Sequence, residues 1–78
     1  MMELNEFVKK FAEQFEDTDA SEIKSETKFR DLDEWSSIIG LSIIAMVDEE
    51  FGLVLKGDDM RAANTPAELY EIIKKKIQ

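Results

Sequence analysis

An all-α fold, a small bundle of three main helices and one short helix with a long first loop, is what the sequence predicts, and three observations carry it. Two segments, 4–15 and 66–77, repeat apolar residues at helical spacing with charged residues opposite. A third, 33–52, is apolar over a broader face and closes on Glu-Glu-Phe-Gly. The one run that could pass for a strand, Leu53-Val54-Leu55, has no second strand to pair with. At 78 residues the chain bounds a single domain, 1–78, whose core is too small to spare many residues for a large active-site cavity.

The first element is marked by Leu4, Phe7, Val8, Phe11, Ala12 and Phe15 on one stripe. Three phenylalanines at that period are core residues, buried against neighbouring helices. Residues 16–35 lack a sustained period and hold Asp17, Thr18, Asp19, Ser21, Ser25 and Thr27, which favour turns and caps. A connection of that length is unusual in so small a domain and often functional. Ile23, Phe29 and Leu32 are expected to pin it to the core. Asp17, Asp19 and Ser21 have the spacing of a calcium loop, but Glu22 stands where such a loop needs glycine and Lys28 where it needs a bidentate glutamate.

The segment from Asp33 to Phe51 is the central helix with its approach. At about 100° per residue, Ile39, Gly40, Ile43, Ile44, Met46, Val47 and Phe51 share the side to be buried. Ser37, Ile38, Leu41, Ser42, Ala45, Asp48 and Glu49 share the other, which mixes apolar and acidic groups and so is not an ordinary solvated face. Ser36 is a natural N-cap. Gly40 costs a helix interior about 1 kcal/mol relative to alanine, which implies close approach of another helix or a bound chain. Trp35 is expected to pack where the loop meets the helix, with partner contact as its alternative. Asp58 or Asp59 can cap a brief helical turn through Ala63. The last helix has the plainest start: Thr65 as N-cap, Pro66 at the first helical position and Glu68 at the capping-box position. Leu69, Ile72, Ile73 and Ile77 form its stripe, and Lys74, Lys75 and Lys76 suit the negative end of its dipole.

Chemistry is bounded by what is missing. With no cysteine or histidine, the chain has no thiolate, no disulfide, no Ser-His-Asp triad and no imidazole base. The reactive groups left are hydroxyls, carboxylates and lysines, and a serine hydroxyl without a neighbouring base is a weak nucleophile. A serine that reacts here must be activated by another protein, so the chain reads as a substrate or carrier and not as an enzyme. Eighteen acidic against ten basic residues, a net charge of −8, disfavour nucleic acid and anionic membrane surfaces and favour a basic-faced partner. A hydrophobic fraction of 44% argues against disorder. No stretch approaches membrane-spanning length and no signal-peptide pattern opens the chain, so a cytoplasmic, monomeric protein is expected.

Three stretches carry a family resemblance: 29–38, Phe-Arg-Asp-Leu-Asp-Glu-Trp-Ser-Ser-Ile; 45–52, Ala-Met-Val-Asp-Glu-Glu-Phe-Gly; and 64–69, Asn-Thr-Pro-Ala-Glu-Leu. Over nearly its whole length the chain resembles the acyl carrier proteins and the similar peptidyl and aminoacyl carrier domains. That family has Asp-Ser-Leu at the start of its second helix, and counting back from Phe51-Gly52 lays its modified serine on Ser37. The resemblance implies an acyl-carrier-protein-like bundle with a 4′-phosphopantetheine arm on Ser37, attached by a phosphopantetheinyl transferase. The arm's thiol would carry acyl or aminoacyl thioesters, loaded by a ligase and consumed by synthases or transferases, as in fatty acid or polyketide biosynthesis. Ser36, Ile38, Leu41, Ala45, Asp48 and Glu49 would form the docking surface for the basic patches of those enzymes. Ser36 replaces the usual aspartate, Ile38 the usual leucine, and Ile39 and Ser42 stand where many members carry acids. A carrier-like domain whose serine stays bare, acting as an interaction or regulatory subunit, is the alternative.

Overall fold

A computed structural model describes residues 2–77. Four helices follow one another: α1 (Leu4–Ala12), α2 (Ser37–Phe51), α3 (Gly57–Ala62) and α4 (Pro66–Ile77), with no strand among the described residues. The result is a small helical bundle. Two single 3₁₀ turns, Ala20–Glu22 and Phe29–Asp31, interrupt the long connection between α1 and α2.

The helix α1 stops at Ala12, three residues before its apolar stripe does. Its last turn tightens instead, through Gln14 N to Phe11 O (3.1 Å) and Phe15 N to Ala12 O (3.0 Å). That winding keeps Phe15 on the buried face although it lies outside the helix. Phe7, Phe11 and Phe29 are fully buried and pack at tilted angles, with Phe11 and Phe29 centroids 5.2 Å apart and Phe29 and Trp35 4.9 Å apart. These aromatic pairs are the centre of the core. Ile43, Val47, Leu69 and Ile73 close it from α2 and α4.

The sides assigned to α2 hold with two adjustments. Ile39, Gly40, Ile43, Met46 and Val47 are buried, while Ile44 and Phe51 are only half-buried. Gly52 ends the helix at φ 67°, the left-handed conformation that glycine adopts at least cost. The run Leu53-Val54-Leu55 is extended but unpaired, with Leu55 buried and Val54 exposed.

The start of α3 reverses the expected cap. The helix begins at Gly57, and Asp59, already inside it, reaches back to accept a hydrogen bond from Lys56 N at 2.9 Å. Thr65 caps α4 as expected, its Oγ1 accepting from Glu68 N at 3.2 Å. Glu68 returns the bond one residue earlier than a standard capping box, to Asn64 N at 2.7 Å. Ile77, assigned to the stripe of α4, is 47% exposed, because the bundle ends before the helix does.

The first loop is held by ties that no periodicity announces. Phe29 N donates to Asn64 O and Ala67 N to Ser25 O, which seat the loop against the start of α4. The Arg30 guanidinium donates to Met60 O (2.9 Å), Ala63 O (2.7 Å) and Asn64 Oδ1 (2.7 Å), satisfying carbonyls where α3 runs out. Ile23 and Phe29 are buried and Leu32 packs on the core, as expected.

Candidate functional site

The site is built around the N-terminus of α2. Ser36 has extended backbone geometry (φ −157°, ψ 171°), and its hydroxyl accepts from Ile39 N at 3.4 Å while its carbonyl accepts from Gly40 N at 3.0 Å. Ser36 is therefore the N-cap. Ser37 is the first helical residue; it is exposed, and no hydrogen bond among the described residues engages its hydroxyl. Two adjacent serines thus have opposite fates, one bound to the backbone and one presented to solvent.

Approach to this end of α2 is fixed by Glu34. Its carboxylate accepts from Thr18 Oγ1 (2.7 Å), Glu16 N (2.7 Å) and Asp17 N (3.1 Å). The Thr18 hydroxyl first, and the backbone amides after it, hold the Glu34 carboxyl below the usual glutamate range. The same economy explains Asp19, whose carboxylate accepts from Ser21 N at 2.8 Å and titrates below the ordinary aspartate value. These two acids act as backbone caps.

Trp35 is half-buried at the loop–helix junction, its ring near Phe29 and Phe15. It also corrects one of the two reasons expected for Gly40, the crossing helix. A Cβ on Gly40 would meet Trp35 Cη2 at 3.5 Å and Cζ2 at 3.6 Å and nothing else within 4 Å. No second helix crosses there; the neighbour is an indole five residues earlier, at ordinary contact distance.

Beside Ser37 runs an open groove of about 340 Å³ between the first half of α2 and α3. Ser37, Gly40, Leu41 and Ile44 form one wall, Gly57, Met60 and Arg61 the other, with Trp35 and Arg30 completing it. Its lining is largely apolar. A larger depression of about 540 Å³ lies in the first loop, but it is lined by Asp17, Glu22, Asp31, Asp33 and Glu34 and does not reach Ser37.

The remaining predicted site residues fall together along α2. Ile38 (72%) and Leu41 (65%) are exposed, as are Ala45, Asp48 and Glu49, so one continuous strip runs from the apolar end beside Ser37 to the acidic end. Met46, Leu55 and Met60 are all buried, and Met60 lines the groove. Sequence reasoning gave no site role to Arg61, Gly57 or Glu34. Only the tertiary fold brings the first two opposite Ser37, and no local pattern marks the amides that Glu34 binds.

Among the described residues no helix is long and apolar enough to cross a membrane. The chain matches no family model, no curated protein and no solved structure.

Proposed function

We propose that the chain is an acyl carrier protein that bears a 4′-phosphopantetheine arm on Ser37 and presents acyl or aminoacyl thioesters to partner enzymes. The observation that carries this reading is the exposed, unbonded Ser37 hydroxyl at the first position of α2, beside an apolar groove. The residues fit the group. The positive end of a fifteen-residue helix favours the negative phosphodiester, and the adjacent Ser36 is already occupied as the cap, so the two hydroxyls do not compete. When bound, the arm supplies the thiol that the cysteine-free chain lacks.

Ser37 has no histidine, cysteine or bonded carboxylate to take its proton. Its activation belongs to a phosphopantetheinyl transferase, whose base accepts that proton as Ser37 Oγ bonds to the arm's phosphorus, while the phosphoanhydride bond of the coenzyme A donor breaks and its adenosine nucleotide leaves. The exposed strip of α2 supports docking of that enzyme, of a loading ligase and of downstream synthases. Ile38, Leu41 and Ala45 offer an apolar centre, and Asp48 and Glu49 meet basic patches, contributing steering and register more than raw affinity. A monomer working in the cytoplasm, and not itself an enzyme, completes the proposal.

Intact mass after co-expression with a transferase tests it. One phosphopantetheine is gained by the wild type and by Ser36→Ala and lost in Ser37→Ala. If several transferases add nothing, the reading falls, and a bare interaction subunit replaces it.

A further inference from the structure

The chain has only two arginines, and both line the groove beside Ser37. They are not equivalent. Arg30 spends its guanidinium on Met60 O, Ala63 O and Asn64 Oδ1, so it holds the wall in place and has little left to offer. Among the described residues Arg61 pairs only with Asp58, one turn back on the same short helix, and both side chains are largely exposed (74% and 88%). Exposed pairs of this kind hold their partners weakly and exchange readily. Gly57 gives Arg61 its berth: a Cβ there would come within 3.3 Å of Arg61 Nη1. Gly40 lines the facing wall. No lysine lines this groove.

We propose that Arg61 is the positioning residue for the phosphodiester at the root of the arm, exchanging Asp58 for the phosphate and laying the arm along α3 and into the groove. This rests on attachment at Ser37 and adds to it a direction for the arm. The planar guanidinium fork matches two phosphate oxygens in a way that a lysine does not. In a chain of net charge −8 an added anion needs such a partner, because the loop leading into Ser37 carries Asp31, Asp33 and Glu34. The arm would then rest on the protein between visits to partners, where an unanchored one would project freely from α2.

The test uses full-length protein with and without the arm, each state verified by intact mass. The Arg61 Nε–H resonance is expected to shift when the arm is attached, and to shift less as salt is added. In Arg61→Gln the phosphorus-31 relaxation of the arm should fall toward that of a freely moving phosphodiester, and Arg61→Lys should restore it only in part. An Arg61 resonance identical in the two states, together with unchanged phosphorus relaxation in Arg61→Gln, overturns the inference while leaving the carrier reading intact. Slower modification of Arg61→Gln with unchanged phosphorus relaxation also overturns it and makes Arg61 a transferase contact. Absence of any arm in the wild type removes the carrier reading and this inference with it.

Discussion

Replacing Arg30 with alanine removes the side chain that hydrogen-bonds the first loop to the end of α3. The guanidinium makes two part-buried bonds, to Met60 O at 2.9 Å and Ala63 O at 2.7 Å, and exposed ones to Asn64 Oδ1 and Arg61 O. It also lies over the Phe29 ring, 5.2 Å from the centroid. A charge-assisted hydrogen bond contributes about 1.5–3 kcal/mol when shielded and less in water. Counting the two part-buried bonds at the lower end, leaving out the exposed ones and adding about 0.5 kcal/mol for the ring contact gives a loss of about 3.5 kcal/mol. At about 4–8 °C per kcal/mol for a domain of this size, the melting temperature should fall by about 14–28 °C. Arg30→Lys keeps the charge but not the fork, and should lose about half as much. Urea denaturation followed by the fluorescence of Trp35, the single tryptophan, measures all of this. Arg61→Ala is the control: its ion pair with Asp58 is exposed, so the change should stay within about 0.5 kcal/mol. If Arg30→Ala is as mild as Arg61→Ala, the latch between loop and α3 is not what holds the groove wall.

Glu34 makes stability depend on acid. Its carboxyl is held below the ordinary value in the folded chain, so its contribution is complete above the unfolded glutamate pKa and is lost as pH falls through the folded one. Thermal melts in that acidic range should therefore fall less steeply in Glu34→Gln than in the wild type, and parallel slopes would sink the assignment. The two helical glycine positions of α2 should respond oppositely. Gly40→Ala places its Cβ at ordinary contact with Trp35 and should stabilise by about 0.5–1 kcal/mol, whereas Gly52→Ala, at φ 67°, should destabilise by about 1 kcal/mol. Denaturation midpoints decide both. Reversing Asp48 and Glu49 to lysine should leave the circular dichroism of the fold unchanged and slow modification by a transferase; a melted helix would make those acids structural.

What the sequence disclosed about the fold follows how local each cause is. Thr65, Pro66 and Glu68 act within one turn, so the start of α4 was legible to the residue. Ser36 caps α2 for the same reason, and the helical angle alone separated the buried Ile43 and Val47 from the exposed Ile38 and Leu41. Phe15 was placed in the core by its period even though the helix had ended, because a tightened last turn preserves the face. Ile77 failed for a tertiary reason: its period is right, but nothing packs beyond that end of the bundle. The crossing helix expected at Gly40 failed because the indole that meets it comes from the approach to its own helix.

The candidate site divides along the same line. Ser37 and the strip behind it belong to one helix, and one helix can be read from spacing. The groove belongs to α2 and α3 together, and its second wall is a six-residue helix too short to persist without tertiary support. Arg30 fastens that helix at its end, where it satisfies carbonyls that the helix cannot satisfy itself, and Lys76 reaches Asp59 from α4 at 3.4 Å. The long first loop, with few regular hydrogen bonds of its own, thus has a physical reason for its length. It carries Arg30 across to the far wall of the groove and Glu34 back to the approach of Ser37, so one segment sets both sides of the site.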